Sequence, residues 1–375
     1  MKKHSVRRVV LHPFGLLTVA AALLLTAVGL ITVYSVTYRS NPEALGISVF
    51  ALALGMAIFG AVAAFDICRL PNAFYFALFG VTAALLLLTL FIGEGPGNRA
   101  WLRFSWLFFD IQPSELAKVS YILTLSRHLT YLQEKKHSLR SSLLLAVHVL
   151  TPIVLVLLEG DVGNASVLVC IAVGAFLFFG SSLRRVGIGA GIALLLSPAV
   201  WFALGEHRQD RIIAGLNPYS DPLGYGWQSL TTQNVIASSS LFGKGFLNTE
   251  SSQQIPAVHT DMIFAAIAEQ FGFAGAFSVI LCLFGLCAFL TLDASDRTCQ
   301  GKVICFCAAV WIGVQAVESI GMCLGLLPIV GVALPFVSYG GSSMTSLWIL
   351  LGVAFRAGRS KKMQTAEQCM PSEAV

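Results

Sequence analysis

Charge is the scarce ingredient of this chain. Of its 375 residues, 24 are Lys or Arg and 19 are Asp or Glu, 11% in all, whereas 56% are hydrophobic. An ordinary soluble domain carries roughly a quarter charged residues, so too little polar surface exists here to cover a soluble fold. A disordered chain, a basic nucleic-acid-binding protein and an ordinary cytosolic enzyme are thereby excluded, and a polytopic membrane protein is indicated. No nucleic-acid partner is expected. The nine cysteines include no CxxC pair, the spacing of a redox or zinc site. Cys305 and Cys307 stand two apart in an apolar run, on different sides of a helix. There is no Walker loop, no internal repeat, no low-complexity segment and no cytoplasmic loop long enough for an ATPase domain.

Apolar runs of spanning length are abundant. A spanning helix needs about 20 such residues, and the hydrophobic content suffices for about ten. The spans are expected near 14–37, 45–65, 73–92, 114–132, 142–158, 163–180, 187–205, 262–291, 303–325 and 341–357. Two are not clean: the fourth contains Glu115 and Lys118, and the fifth runs into Glu159 and Asp161. An even number of spans puts both termini on one side, and the positive-inside rule makes that side cytoplasmic. Lys2, Lys3, Arg7 and Arg8 precede the first span, Arg356 closes the last and Arg359, Lys361 and Lys362 follow it, and the alternate loops on that side hold most of the remaining basic residues. The first run is too long for a signal-peptide core and lacks a small-residue cleavage site, so it reads as an uncleaved span. The fold class is therefore all-α and polytopic, with one membrane domain over 1–357 and a polar tail, expected to be disordered, over 358–375. Two outer segments are long, 93–113 and 206–261. The second lies between spans seven and eight and has the length of a functional or flexible loop.

Five constellations carry chemistry. Gln112-Pro113-Ser114-Glu115-Leu116-Ala117-Lys118 opens a helix at Pro113 and sets Glu115 and Lys118 three apart on one face. A charge costs roughly 2.5–3.5 kcal/mol to insert in a bilayer, so such groups face a partner or a cavity. Either a mutual ion pair or a polar substrate cavity answers that. In Glu159-Gly160-Asp161-Val162-Gly163-Asn164, Asp161 either caps the next helix or pairs with a functional group. The 206–261 segment is rich in turn residues and aromatics, with Gln228 and the Gly243-Lys244-Gly245 turn inside it. Asp261, in His259-Thr260-Asp261, sits where polar loop meets apolar helix, as an N-cap or a general base. Glu269 follows two turns later. Finally, Leu334-Pro335-Phe336-Val337-Ser338-Tyr339-Gly340-Gly341-Ser342-Ser343, preceded by Gly325, Pro328 and Gly331, cannot be continuous helix. Non-helical backbone at membrane depth survives only when buried in protein or lining a cavity. Gln315 and Glu318 on the helix before it need partners.

Taken in this order, QPSELAK at 112–118, NPYSDPLGYGWQ at 217–228, GKG at 243–245, HTDMIF at 259–264 and LPFVSYGGSS at 334–343 resemble the SEDS family (shape, elongation, division and sporulation), which includes RodA and FtsW. The resemblance covers nearly the whole chain. It implies a ten-span peptidoglycan glycosyltransferase of the bacterial inner membrane that polymerises lipid II on the outer face. The acceptor 4-hydroxyl attacks the anomeric carbon, undecaprenyl pyrophosphate leaves, and the linkage is inverted. Asp261 matches the family's essential acid and would take the hydroxyl proton. Glu115 and Lys118 match the pair that lines its central cavity. Arg99, Arg208, Arg211 and Lys244 are candidates, on charge alone, to join Lys118 in holding pyrophosphate. Gln228, Asp161, Ser338 and Ser342 complete the expected cavity. A divalent cation at Asp261 or Glu115 could offset the pyrophosphate charge, but no ligand cluster in the sequence shows it. NPYSDPLGYGWQ and GKG favour the elongation branch, RodA-like, over the FtsW-like division branch, and that implies a class B penicillin-binding protein as partner. Departures from the family pattern are Glu159-Gly160 where Gln-Pro is usual, Gln270 for a second Glu, Glu318 for Asn, Ala333 for Pro or Thr, and Ala100 for a basic residue before Trp101. Apart from the resemblance, ten spans with broken helices and intramembrane charges would fit a transporter, so a lipid II flippase is the competing reading.

Overall fold

The computed structural model describes residues 13–95, 98–104, 109–133, 139–179, 202, 205–295 and 297–359, and all statements below concern these. Side chains at 139, 206–208, 211 and 225 are outside the description. The elements are helices α1 (Pro13–Thr37), α2 (Glu43–Ala63), α3 (Asn72–Ile92), α4 (Pro113–Gln133), α5 (Leu139–Glu159), α6 (Val162–Phe178), α7 (Glu206–Leu216), α8 (Tyr225–Ala237), α9 (Ile263–Asp293), α10 (Cys299–Cys323) and α11 (Gly341–Arg356). No strand is present among the described residues; the 93–113 segment carries only isolated antiparallel bridges, Glu94 to Trp101 and Leu102 to Ile111. The chain is an all-α multi-pass membrane protein.

Each expected span except the seventh coincides with a described helix; 187–205 lies largely outside the described residues. Among the described helices, six are long and apolar enough to cross a membrane unaided. The others fall short for separate reasons. α6 and α11 have 17 and 16 residues, and α4 is polar. That polarity is explained by position. α2 and α3 are strongly apolar yet mostly uncovered by protein, with only 17% of each spanning window buried; their apolar surface is left for lipid. α4 is the least apolar of the spans and is buried along most of its length, packed against α3, α5, α6, α10 and α11. Its charges are tolerated because protein, not lipid, surrounds them.

Two stretches depart from plain helix. α9, expected as one uninterrupted span, breaks at Gly272, whose φ of 67° and ψ of −167° lie outside helical space. Between α10 and α11 the backbone is irregular through Pro335, as its prolines and glycines require, and buries Val332, Leu334, Phe336 and Val337 in the core. The segment comes so close to α1 that a Cβ on Gly29 would stand 2.3 Å from the Val337 carbonyl oxygen. The outer 206–261 segment is more ordered than a loop. It holds α7, α8 and two short 3₁₀ turns, Pro218–Ser220 and Ser252–Gln254. At the far end, Gly358 and Arg359, expected to begin a loose tail, are instead bonded: the Gly358 N–H donates to Asp66 Oδ1 at 3.1 Å, and Arg359 pairs with Asp293 at 2.8 Å. Residues 360–375 lie outside the described residues.

Candidate active site

α4 begins at Pro113, and its first two turns deliver Ser114, Glu115 and Lys118 into the middle of the bundle. Lys118 is wholly buried. Its ammonium donates to Glu115 Oε1 at 2.8 Å, Asn164 Oδ1 at 2.8 Å and Gln315 Oε1 at 3.0 Å. It also stands 4.6 Å from the Trp311 ring centroid, a cation–π contact. All three ammonium protons therefore have an acceptor. The ion pair expected from the three-residue spacing is real, and it belongs to a larger network.

Asp161 occupies the N-cap of α6. Its Oδ1 accepts from the Asn164 N–H at 3.1 Å, the arrangement that neutralises an orphan helix donor. Its Oδ2 accepts from Asn164 Nδ2 at 2.8 Å, Gln112 Nε2 at 2.9 Å and Ser114 Oγ at 3.3 Å. Capping and side-chain hydrogen bonding thus coexist in one carboxylate. Ser342, at the start of α11, bonds to the same entry turn of α4: its Oγ accepts from the Gln112 N–H and donates to the Asp110 carbonyl, both at 2.9 Å. The network keeps unused acceptors. Glu115 Oε2, Glu159 Oε2 and Glu318 Oε2 are buried without a hydrogen-bond partner. Glu318 Oε1 is engaged by the Ser166 hydroxyl, and Glu159 Oε1 lies 2.5 Å from Thr89 Oγ1.

Asp261 lies in the turn that leads into α9 and is half-buried. The cap residue is Met262, with no side-chain cap bond, so Asp261 is not the N-cap that its position suggested. The irregular segment before α11 clasps this turn. The Tyr339 N–H donates to the His259 carbonyl at 2.8 Å, and Ser338 Oγ donates to the Thr260 carbonyl at 2.6 Å. The His259 and Tyr339 rings stand 5.3 Å apart. Burial pulls the His259 imidazole below its usual value and, with the Asp110 charge nearby, pushes the Tyr339 phenol up. Gly331, at φ 73°, comes near the carboxylate: a Cβ there would lie 3.4 Å from Asp261 Oδ2. Two residues on, the Ala333 carbonyl accepts from Gln315 Nε2 at 2.8 Å. Gln315 therefore links the Lys118 network to the strip of backbone beside Asp261.

The remaining candidates are spread out. Arg99 reaches only the Leu90 carbonyl, at 3.3 Å, and its N–H bonds the Glu159 carbonyl at 2.9 Å. Arg208 and Arg211 sit on α7, with side chains outside the description. Gln228 Nε2 donates to the Pro256 carbonyl at 3.0 Å, on the approach to the Asp261 turn. Lys244 is ion-paired with Glu269 at 2.8 Å. Among the described residues no group of three or more His, Cys, Asp or Glu is arranged to hold a metal ion, and no step below runs through one. Sequence reasoning did not assign Asn164, Trp311 or Ser166; only Asn164, in the short turn after Asp161, carried a signal.

A family model described as cell cycle protein, covering FtsW, RodA and SpoVE, matches residues 15–363. The chain belongs to this family, the SEDS family. One SEDS relative, the probable peptidoglycan glycosyltransferase FtsW of Pseudoalteromonas translucida, is 32% identical over 306 residues, 78% of this chain and 74% of its own length. Another, the peptidoglycan glycosyltransferase MrdB of Escherichia coli, is 34% identical over 274 residues, 71% of this chain and 72% of its own. A chain from a solved peptidoglycan synthase complex, in which polymerization and crosslinking are coordinated, superposes with a TM-score of 0.76 at 29% identity, covering 90% of this chain and 96% of that one. Three of the residues noted above as departures carry polar side chains that this SEDS chain places inside the bundle. Glu159 and Glu318 supply two of the buried carboxylates, and Gln270 Nε2 donates to the Ala266 carbonyl at 3.2 Å.

Proposed function

We propose that this chain is a peptidoglycan glycosyltransferase of the bacterial inner membrane that polymerises lipid II on the outer face, with Asp261 as the catalytic base. The observation that carries the reading is the Asp261 turn itself: a half-buried carboxylate beside the φ-positive Gly331, with the turn clasped by Ser338 and Tyr339. In the reaction the acceptor 4-hydroxyl loses its proton to Asp261 as its oxygen bonds to the donor anomeric carbon. The glycosyl–oxygen bond to undecaprenyl pyrophosphate breaks, and the pyrophosphate carries the electron pair away. Lys118, held among Glu115, Asn164 and Gln315, supplies positive potential to the polar core. Family membership and relatives named peptidoglycan glycosyltransferases support the activity.

The finer reading is RodA-like, in cell elongation, on the 217–228 and 243–245 motifs. The partner is a class B penicillin-binding protein that supplies the transpeptidase, a reading supported by the likeness to a chain of a synthase complex. The test is polymerisation of purified lipid II by wild type and Asp261→Asn, each alone and with the partner. Glycan strands are expected from wild type with its partner and not from the variant, with folding and partner binding intact. Strands from the variant would sink the assignment of the base. No strands from wild type, with lipid II crossing the bilayer of vesicles, would favour a flippase. Adding a chelator to the same assay tests for a divalent cation.

A further inference from the structure

Lys244 and Glu269 form a knot at the root of the Asp261 turn. Glu269 lies in the outer half of α9, before the Gly272 break, and is wholly buried. Its Oε2 accepts from the Ser252 N–H at 2.8 Å, and its Oε1 accepts from the Ser251 N–H at 3.2 Å and from Lys244 Nζ at 2.8 Å. Ser251 and Ser252 stand on the strand of chain that enters the Asp261 turn; Glu269 stands on the helix that leaves it. One carboxylate therefore joins both sides of the turn. Lys244 Nζ adds a bond to Ser251 Oγ at 2.9 Å.

The backbone reinforces the same junction. Breaking a helix frees carbonyls and N–H groups, which need partners when buried. Here the 240–245 loop supplies them. The N–H groups of Lys244 and Gly245 donate to the Glu269 and Gln270 carbonyls at 2.7 and 3.0 Å, and the N–H groups of Phe273 and Ala274 donate to the Ser240 and Leu241 carbonyls at 3.1 and 3.0 Å. The fit admits no side chain: a Cβ on Gly243 would lie 2.4 Å from the Gln270 carbonyl oxygen. The outer half of α9 is thus held at its C-terminal end by the loop and its carboxylate, and just before its N-terminal end by Ser338 and Tyr339.

We propose that Glu269, braced by Lys244, is a positioning residue that fixes the Asp261 carboxylate against the reacting hydroxyl. Lys244 then acts through Glu269, not as a cation that holds substrate, because its ammonium is already committed to Glu269 and Ser251. The inference rests on the reading of Asp261 as the base. A misplacement of about 1 Å costs on the order of 10²-fold in rate, so loosening the root of the turn should lower kcat and leave KM alone.

The experiment is steady-state lipid II polymerisation by the full chain with its transpeptidase partner, comparing wild type, Lys244→Arg, Lys244→Met, Glu269→Gln and Asp261→Asn. Glu269→Gln keeps an acceptor for the serine amides and leaves no buried charge, and the half-exposed Lys244 can turn to water, so this variant guards against simple misfolding. Expected are a fall in kcat of roughly 10- to 100-fold for Lys244→Met and Glu269→Gln, KM within about threefold of wild type, and near-complete rescue in Lys244→Arg. Unchanged kcat in Glu269→Gln, or a raised KM with kcat preserved in Lys244→Met, overturns the proposal even when Asp261→Asn is inactive. An active Asp261→Asn instead overturns the base on which it rests.

Discussion

Charges are buried at two ends of this bundle, and the two ends treat them differently. At the end where the described residues begin and end, both oxygens of Asp293 and every nitrogen of Arg297 have a partner, and of the charged groups there only Arg356 keeps a buried Nε without one among the described residues. Arg297 pairs with Asp293 and donates to the Ala357 carbonyl at 2.8 Å and to the Ala354 carbonyl; Arg359 Nη2 meets both Asp293 oxygens, at 3.0 and 2.8 Å. This cluster staples the last residues of the described chain to the α9–α10 turn. At the other end, Lys118 satisfies only one oxygen of Glu115, and Glu115, Glu159 and Glu318 each keep a buried oxygen unpaired. Leaving a buried polar atom unpaired costs roughly 1–3 kcal/mol. An arrangement selected for stability alone would have removed that cost. On the function proposed above, the Asp293–Arg297 cluster serves the fold and the cluster around Lys118 serves the reaction.

The largest effect should follow from neutralising the unsaturated end. Lys118→Met alone strands a buried Glu115, and breaking a buried pair in this way costs about 3–5 kcal/mol. The double variant Glu115→Met/Lys118→Met removes both charges and should recover most of that stability, while polymerisation falls by about 10²-fold or more, as when one preorganised electrostatic group is lost. Thermal melting in detergent and lipid II turnover read the two quantities separately. A double variant that polymerises normally would make this end a staple as well. The saturated end should behave in the opposite sense. Arg297→Met should lose about 3 kcal/mol of stability with turnover per folded molecule unchanged, and a matching loss of turnover would erase the distinction.

Much of this contrast is legible in the sequence, and what is hidden has a physical reason. Apolar runs give the spans, because bilayer thickness sets their length. The three-residue spacing gives the Glu115–Lys118 pair, and the prolines and glycines of 325–341 forbid a helix there. The acceptors that complete Lys118 are 46 and 197 residues from it, and no local pattern encodes such distances. Lys244 shows its charge in the sequence but not its partner, Glu269, 25 residues on. The break at Gly272 is equally hidden. A glycine in an apolar helix usually serves packing, and only the 240–245 loop, by supplying hydrogen-bond partners, makes a break affordable.

A smaller effect is expected from Gly29→Ala. The added Cβ would meet the Val337 carbonyl at 2.3 Å, a backbone atom that can yield only by moving the segment that clasps the Asp261 turn. Overpacking of this kind costs typically 1–3 kcal/mol, and because Ser338 is next in sequence, turnover should fall along with stability. Gly60→Ala and Gly80→Ala, with no heavy atom within 4 Å of the new Cβ, are the controls. Equal behaviour of all three would separate the clasp from the chemistry.

The smallest effect concerns pH at the clasp. Burial lowers the His259 pKa, so the folded protein takes up this proton at lower pH than the unfolded chain, whose imidazole titrates near about 6.5. Above that value both states are neutral at His259 and the residue contributes nothing to the pH dependence. As pH falls below it, the unfolded state binds the proton first, and stability declines until the folded pKa is passed. The Tyr339 ring stands 5.3 Å from the imidazole, and its phenol, pushed up by burial, stays neutral throughout this range. A modest fall in melting temperature between pH 7 and pH 5 should therefore be flattened by His259→Asn, with partial loss of the clasp as a constant offset. If wild type and variant show the same slope, the pH response arises elsewhere, and the clasp rests on the Ser338 hydroxyl and the Tyr339 N–H without a contribution from the imidazole.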